Sequence, residues 1–306
     1  MNEGVCYGYA VRSDLAFTYL RSGEATDRLA VQAEQVAEPD DRTAPLLEWL
    51  PRPEHPFHAR LFDAGGGDYD VWIEGMGMYR VEPGAPRITV PEDAEPVRRE
   101  ERLWGIPAAL CFTRRGDLPL HAAAVEIDGR AILFAAPGRF GKTTLAAAFL
   151  ARGRRILAED LVCCRLAGGP DGTPVLLPGP SVLRVRRDVF ERLGPIAGTR
   201  AIADDPERVH LALDDELRGS GDPVPIAGLV LLRRSAPEIR LEPADATALL
   251  ADLWTVSFNL PTDEDRIRCF TGIVDLAAAV PTWTLDRPLS FDTLPDVLDR
   301  VEGICR

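Results

Sequence analysis

The stretch LFAAPGRFGKTTLAAAFL, residues 133–150, decides how this chain is interpreted. An apolar run is followed by a short polar loop, and the loop is followed by an alanine-rich segment typical of a helix. The ending Gly141, Lys142, Thr143 matches the phosphate-binding pattern G-x-x-x-x-G-K-[ST]. Ala136 stands where that pattern begins with Gly, which raises the question whether the loop still binds phosphate.

The residues of this loop are suited to hold a phosphate chain. A strand, a tight loop and a helix that begins at the lysine place backbone N–H groups around one point, which favours anions. Lys142 is expected to reach the β- and γ-phosphates of ATP, and the Thr143 hydroxyl to bind Mg²⁺. The predicted ATP site comprises Gly138, Arg139, Gly141, Lys142, Thr143 and Thr144.

Two positions depart from the glycine-rich pattern. Ala136 adds only one methyl group and is tolerable wherever the backbone has a negative φ. Arg139 stands where a related form of the loop has Gly, and a positive φ there would cost roughly 1–2 kcal/mol. Its guanidinium could also contact phosphate oxygens. The loop is therefore expected to bind nucleotide in spite of both departures.

Two adjacent acids follow the predicted helix. Glu159 and Asp160 lie seventeen and eighteen positions after Lys142, within RRILAEDLVCCRL, which is predicted to be a strand. A helix and a short return bring such a strand back beside the loop. One carboxylate could then bind Mg²⁺ and one could accept the proton of an attacking hydroxyl. Paired acids at a strand end can also be merely solvated, and only the neighbouring loop favours a functional role.

One histidine precedes the loop. His121 opens LHAAAVEIDGRAILFAAP, which is predicted to form two strands joined by a tight turn at Asp128 and Gly129. A lone histidine at such a position is more often packed or capping than catalytic. The residues alone therefore leave its role open.

Composition limits the classes of function. A formal charge of −13 over 306 residues disfavours broad binding to nucleic acid, which needs Lys and Arg against phosphates. No apolar run is long enough to span a membrane and no signal peptide is recognisable, so a cytoplasmic protein without membrane contact is expected. Six scattered cysteines fit reduced thiols rather than a zinc site. Arginine-rich stretches such as LRVRRDVFERL are interpreted as solvated faces.

The sequence pattern changes near residues 92–100, which suggests a domain boundary there. Residues 1–97 combine short apolar runs with Gly, Pro and acidic clusters, which predicts a β-rich N-terminal region. Within it, YDVWIEGMGMYRVEPG predicts a hairpin, and residues 38–57 predict a loop with one helical turn. Residues 98–306 alternate strand-like and helix-like segments, which predicts an α/β domain whose first helix is REERLWGIPAALCFTRRG.

Taken together, LHAAAVEIDGRAILFAAPGRFGKTTLAAAFLARGRRILAED resembles the catalytic core of HPr kinase/phosphorylase. In that family a Leu-His strand, a hairpin, a phosphate loop, a helix ending in Arg-Gly and a pair of acids follow in this order and at this spacing. The strongest resemblance is to the HPr kinase-like proteins found with ribosomally made, modified peptides, including kinases of lasso peptide precursors. It extends from about Pro119 to the C-terminus.

The resemblance implies a fold and a set of residue roles. The fold is the P-loop variant shared with phosphoenolpyruvate carboxykinase, with a mixed sheet. Carried over by position, Lys142 and Thr143 hold the phosphates and Mg²⁺, and Asp160 assists the metal. Glu159 is the candidate base, and His121 lies beside the acceptor. Because Glu159 replaces the usual Asp of the family, either acid remains able to be the base.

The leading hypothesis is an ATP- and Mg²⁺-dependent kinase that phosphorylates a hydroxyl, preferably of Ser, on a peptide or small protein. The β-rich region is the expected place for peptide recognition, since exposed sheet edges accept extended chains. Ala227 stands where HPr kinases have Arg before Gly, which disfavours phosphorylase activity. The alternatives are a nucleotide-binding accessory or peptide-recruiting protein without kinase activity, and a structural protein with a dead site. A homo-oligomer is compatible with all of them.

Overall fold

The first eight strands form one sheet. The computed structural model describes residues 2–38, 43–51, 57–204 and 207–305. The strands are β1 (Asn2–Cys6), β2 (Tyr9–Ser13), β3 (Asp27–Ala33), β4 (Leu47–Trp49), β5 (Ala59–Gly65), β6 (Asp68–Ile73), β7 (Gly77–Glu82) and β8 (Arg87–Val90). Their order in the sheet is β1-β2-β3-β8-β7-β6-β5-β4. The β2–β3 and β3–β8 pairs are parallel and the other pairs are antiparallel.

This sheet confirms the β-rich character of the N-terminal region. The predicted hairpin is the antiparallel pair β6 and β7, which turns at Gly75 and Gly77, both with positive φ. The helical turn predicted within residues 38–57 is wrong for the described residues 43–51. There Leu47–Trp49 is extended because it pairs with β5 as an edge strand, while residues 39–42 and 52–56 lie outside the described residues.

Two short helices follow the sheet where one was predicted. They are α1 (Pro96–Leu103) and α2 (Ile106–Arg115), and the chain leaves the helical conformation at Trp104 and Gly105. Both helices pack on the first sheet, and the same core includes Leu161, Cys163 and other residues from later strands. The N-terminal sheet therefore shares its core with the rest of the chain, and the predicted domain boundary stays a prediction.

The remaining elements form a larger mixed sheet, a small sheet and their covering helices. They are β9 (Leu118–Leu120), β10 (Ala122–Ile127), β11 (Arg130–Ala135), α3 (Lys142–Ala151), β12 (Arg155–Ala158), β13 (Val162–Arg165), β14 (Val175–Leu177), β15 (Val182–Arg186), α4 (Arg187–Leu193), β16 (Thr199–Asp204), β17 (Arg208–Leu213), α5 (Asp215–Arg218), β18 (Val224–Ser235), β19 (Arg240–Pro243), α6 (Ala246–Thr255), α7 (Asp263–Ala279), β20 (Thr282–Arg287) and α8 (Leu294–Glu302). Short 3-10 helices occupy Pro170–Gly172 and Gly303–Cys305.

The large sheet has nine strands. Its main order is β12-β10-β11-β18-β14-β13-β9, and β20 pairs with both β18 and β19. The pairs β11–β18 and β18–β20 are parallel, whereas β10 is antiparallel to both of its neighbours. The predicted mixed α/β architecture is confirmed. A separate antiparallel sheet has the order β15-β17-β16.

Alternating side chains of the central strands build two cores. Along β11, Ile132 and Phe134 face the core that contains α3 and α8, whereas Leu133 and Ala135 face the core that contains α6 and α7. This alternation places helices on both faces of the sheet and holds α3 against the end of β11. Among the residues that the structure describes, no helix is long and apolar enough to cross a membrane.

The segment with the two acids is two strands, not the single strand predicted. The strand β12 ends at Ala158 and pairs with β10, and β13 begins at Val162 and pairs with β9 and β14. The chain therefore changes partners at Glu159 and Asp160, which lie in the connection. The predicted helix after the loop is confirmed as α3, with Gly153 at a φ of 78° just beyond its end.

Candidate functional site

Three elements of the large sheet meet at one edge. Because β10 is antiparallel to both β11 and β12, the ends of β11 and β12 lie beside the start of β10. The loop 136–141 leaves the end of β11, the acids follow the end of β12, and His121 immediately precedes β10. The register therefore brings together three features that are far apart in sequence.

The loop between β11 and α3 contains two residues with positive φ. Gly141, the residue before α3, has a φ of 82°, and Arg139 has a φ of 67°. Ala136 is buried and is not among the described residues with positive φ, so its methyl group is accommodated without backbone strain. Arg139 does occupy the left-handed region, which is unfavourable for a side chain with a Cβ.

The first turn of α3 offers unpaired N–H groups to an anion. The first intrahelical hydrogen bond runs from the Leu145 N–H to the Gly141 carbonyl, at 3.0 Å. The N–H groups of Lys142, Thr143 and Thr144 therefore have no partner within the helix. Both threonine side chains are half-buried and line the cavity at this edge. Together with the positive end of the helix dipole, these groups favour an anion at this point.

Lys142 lies inside the loop. Its ammonium donates hydrogen bonds to the carbonyl oxygens of Ala136, at 2.6 Å, and Pro137, at 3.2 Å. Desolvation lowers the pKa of Lys142 to about 8, and the negative charges of Asp160 and Glu159 offset only part of this effect. A compact, partly desolvated ammonium at a helix N-terminus is well placed to receive phosphate oxygens.

The composition of the chain singles out Lys142. Lys142 is the only lysine of the chain, and all other members of its 35 Lys and Arg residues are arginine. In a chain that otherwise uses arginine for every cation, the lone lysine stands at the position where the phosphate-loop pattern requires one. This observation strengthens the interpretation of the loop independently of its missing glycines.

Asp160 is the acid that faces the cavity. Its side chain is half-exposed, and one carboxylate oxygen lies 3.3 Å from the Nδ1 atom of His121. Desolvation raises the pKa of Asp160, but the positive charges of His121, Arg184 and Lys142 outweigh it and lower the pKa to about 2. The backbone N–H of His121 donates to the Val256 carbonyl at 2.8 Å, which fixes the histidine at the cavity edge. Asp160 is thus ionised at neutral pH and oriented by a histidine.

Glu159, the other acid of the pair, points away from the cavity. Its side chain is buried and accepts a hydrogen bond from the Nε atom of Arg184 at 2.7 Å. Burial raises the pKa of Glu159, and Arg184 offsets part of the rise. Glu159 is not among the residues that line the cavity, in contrast to Asp160. The structure therefore separates two acids that the sequence left interchangeable.

Arg184 connects the acids, and sequence reasoning missed it. The guanidinium lies 2.5 Å from a carboxylate oxygen of Glu101 and 3.5 Å from one of Asp160, in addition to its bond with Glu159. These three carboxylates outweigh burial and raise the pKa of Arg184 well above its usual range. The stretch LRVRRDVFERL, interpreted as a solvated face, thus supplies the buried cation that holds the acid pair in place.

One cavity of about 770 Å³ contains nearly all of the predicted site. Six Lys or Arg side chains and four Asp or Glu side chains line it, so an excess of positive charge lies in a chain whose formal charge is −13. Such a cavity favours an anionic ligand. The predicted residues that line it are His121, Gly138, Arg139, Gly141, Lys142, Thr143, Thr144 and Asp160.

The predicted Mg²⁺ ligands, Thr143 and Asp160, both line this cavity. Within the described ranges no three His, Cys, Asp or Glu side chains group into a metal cage. One hydroxyl and one carboxylate nevertheless fit Mg²⁺, which is usually held by one or two carboxylates, substrate phosphates and water. All six cysteines are free thiols, and none of them lines the cavity.

Comparison with known proteins leaves the function to be argued from the site. No protein-family model matches the chain, and no curated protein matches it. Among solved structures, the chain is similar to the Hpr(Ser) kinase/phosphatase from Coxiella burnetii, with a TM-score of 0.29 and 12% sequence identity over 61% of this chain and 93% of that chain. A similarity this low supports no conclusion about function.

Proposed function

We propose that this protein is an ATP- and Mg²⁺-dependent kinase that phosphorylates a serine hydroxyl of a peptide or small protein, such as a ribosomally made precursor peptide. One observation carries the proposal: a lysine at a helix N-terminus and an ionised aspartate paired with a histidine share one positively charged cavity. The choice of a peptide as the substrate rests on the resemblance of residues 120–160 to HPr kinase-like proteins.

The phosphate chain would bind at the loop and the start of α3. The N–H groups of the first turn and the Lys142 ammonium provide donors, and the positive end of the helix favours the negative charge. Thr143 and Asp160 would hold Mg²⁺, which when bound neutralises charge on the phosphates. Binding requires Lys142 to turn from the carbonyls of Ala136 and Pro137 toward the ligand.

Transfer joins the acceptor oxygen to the γ-phosphorus and breaks the bond between that phosphorus and the bridging oxygen, so that ADP leaves. The acceptor proton would pass to a carboxylate oxygen of Asp160. His121 orients this carboxylate through Nδ1, and Arg184 holds it from the protein side. A carboxylate of low pKa suits a loose transition state, in which the hydroxyl proton leaves late.

Peptide recognition is proposed at the open edge of the N-terminal sheet. The edge strand β4 is paired only with β5 within the described sheet, and the side chains of Leu46 and Leu50 beside it are exposed. An extended peptide could add to such an edge through main-chain hydrogen bonds. In that case Leu50→Asp should raise the KM for peptide and leave kcat and ATP binding unchanged.

The test is transfer itself. The protein is incubated with ATP, Mg²⁺ and the peptide encoded beside its gene, and mass spectrometry is used to look for one added phosphate. Lys142→Arg should lower transfer about 10³-fold, because a planar guanidinium cannot replace the compact ammonium inside the loop. The control is Arg12→Lys, which makes the reverse exchange at an exposed residue of β2 that does not line the cavity and should change nothing.

Two results would redirect the proposal. Phosphorylation that survives Lys142→Arg unchanged would refute the assigned site. Tight ATP binding without transfer or slow hydrolysis would instead favour the accessory nucleotide-binding protein, an alternative to which the strained φ of Arg139 lends some support.

A further inference from the structure

The cavity contains a buried arginine to which sequence analysis assigned no role. Arg287 is the last residue of β20, and only 4% of it is exposed. Leu285, two positions earlier on the same face of the strand, belongs to the core beneath α3. Arg287 therefore continues a core-facing row of side chains to the point where the strand reaches the N-terminus of α3.

The Arg287 guanidinium is desolvated without an acid to compensate it. No carboxylate within the described ranges forms an ion pair with Arg287, and desolvation lowers its pKa to about 10. One of its nitrogens, Nη2, lies 3.3 Å from the Phe140 carbonyl oxygen and 3.5 Å from that of Gly141. These distances are long for hydrogen bonds to a cation. Arg287 lines the cavity, and its Nε and Nη1 atoms have no hydrogen-bond acceptor among the described residues.

The position is electrostatically unfavourable for a cation in the free protein. The N-terminus of α3 carries the positive end of the helix dipole, and the Lys142 ammonium lies in the same loop. A buried charge without a partner is costly, and a second positive charge beside a helix N-terminus adds to that cost. A multiply charged anion bound at this point would be attracted by all three.

The guanidinium of Arg287 lies directly against Gly141 of the loop. Gly141 has a φ of 82°, which already favours glycine. A Cβ at Gly141 would in addition overlap the guanidinium of Arg287. The glycine of the Gly-Lys-Thr ending therefore admits an arginine contributed by a strand near the C-terminus.

We propose that Arg287 is a phosphate-binding residue of this cavity, where it binds a non-bridging oxygen of a nucleotide polyphosphate together with Lys142 and the first turn of α3. The ligand class rests on the proposed function, but the binding role does not require phosphoryl transfer. Because the same guanidinium contacts two carbonyls of the loop, binding at Arg287 would also fix the end of the loop that leads into α3.

Calorimetric titration with ADP and with inorganic pyrophosphate, in the presence of Mg²⁺, tests this role. Arg287→Met is expected to weaken the binding of both probes by about 10- to 100-fold, as expected for the loss of a charge-assisted contact. Arg287→Lys should recover part of the affinity. Arg12→Met, which removes an exposed arginine of β2 that does not line the cavity, should bind both probes like the unmodified protein.

Urea unfolding separates a binding role from a structural one. If Arg287 serves the ligand, Arg287→Met without ligand will be at least as stable as the unmodified protein, because an uncompensated buried charge has been removed. A marked loss of stability in this variant with unchanged affinity of its folded fraction would overturn the proposal. Failure of the unmodified protein to bind either ADP or pyrophosphate would also overturn the proposal.

The outcomes are distinguishable from those of the kinase test. If both probes bind through Arg287 and no hydroxyl is ever phosphorylated, the proposed activity is wrong and the binding role stands. If peptide is phosphorylated while Arg287→Met binds ADP and pyrophosphate normally, the kinase stands and Arg287 has no part in phosphate binding.

Discussion

Two buried arginines can be compared. Arg21 lies at the contact between the N-terminal sheet and the rest of the chain, which we call the seam, and Arg287 lies in the cavity. Arg21 is 1% exposed and Arg287 is 4% exposed. Desolvation lowers the pKa of each to about 10. Neither forms an ion pair with a carboxylate of the described residues. By burial and charge alone, the two are indistinguishable.

Their acceptors distinguish them. At the seam, Arg21 donates from Nε to the Gly179 carbonyl at 2.7 Å and from Nη2 to the Ile156 carbonyl at 2.7 Å. Its Nη1 donates to the Arg218 carbonyl, so every nitrogen of this guanidinium has an acceptor. Among the described residues, Arg287 has two hydrogen-bond acceptors, the carbonyls of Phe140 and Gly141, and both are reached by Nη2 at 3.3 Å or more. A buried arginine saturated by carbonyls stabilises the fold, whereas one with donors facing a cavity is suited to a ligand.

Each region also contains a group whose pKa lies near neutrality. At the seam, burial raises the pKa of Glu100 to about 7, although its carboxylate accepts hydrogen bonds from the N–H groups of Thr18 and Tyr19. In the cavity, desolvation lowers the pKa of Lys142 to about 8. The comparison therefore predicts that pH acts on folding through the seam and on ligand binding through the cavity.

The largest effect is expected at the seam. Arg21→Met should lower the free energy of unfolding by about 4 kcal/mol, because the carbonyls of Gly179, Ile156 and Arg218 lose a hydrogen bond from the guanidinium. Urea unfolding measures this change. Affinity of the folded fraction for ADP should remain normal, and Arg12→Met, at an exposed position of β2, is the control. A stable Arg21→Met protein that has lost ADP binding would reverse the assignment of the two arginines.

Glu100 should make stability fall with rising pH. Its folded pKa of about 7 lies above the ordinary value of 4.5, so the folded state holds a proton that the unfolded state releases between these values. The free energy of unfolding should therefore decrease as the pH rises from 4.5 to 7, by at most about 3 kcal/mol. The measurement is the difference in urea stability between the unmodified protein and Glu100→Gln across this range. A difference that does not change with pH would show that Glu100 is ionised throughout.

Local patterns predicted much of the fold, and long-range pairing accounts for what they missed. The turn at Asp128 and Gly129 and the helix end at Gly153 depend on neighbouring residues, and both were predicted correctly. The break between β12 and β13 depends on which strands the two halves meet, and no local pattern contains that information. Arg184 and Arg287 reach the site from a separate sheet and from the last strand, so sequence spacing could not associate them with Lys142.

Ligand binding in the cavity should weaken above pH 8. In the protein without ligand, Lys142 loses its proton near that pH. A bound polyphosphate favours the protonated form of Lys142 because of its negative charge. ADP affinity should fall by up to tenfold per pH unit above 8, about 1.4 kcal/mol, and binding there should take up a proton. Calorimetry in two buffers of different ionisation enthalpy measures both quantities.

The lone lysine supplies a direct measurement of the same pKa. Because Lys142 carries the only side-chain amine of the chain, its rate of acetylation can be followed by peptide mass spectrometry against pH. The rate should reach half its maximum near pH 8, and ADP should suppress it. Half-maximal labelling near 10.5, the ordinary value for lysine, would contradict the desolvated position inside the loop.

The smallest effect is expected at Arg139, where strain and ligand contact can be separated. Arg139→Ala removes the guanidinium and keeps a Cβ at a φ of 67°, whereas Arg139→Gly removes both. The glycine variant should exceed the alanine variant in stability by about 1 kcal/mol, measured by urea unfolding. If both variants lose ADP affinity equally, the guanidinium binds phosphate. If the glycine variant alone gains ADP affinity, the left-handed backbone at residue 139 weakens phosphate binding when that residue has a Cβ. The cavity would then differ from the seam in two ways, by backbone strain at Arg139 and by the guanidinium donors of Arg287.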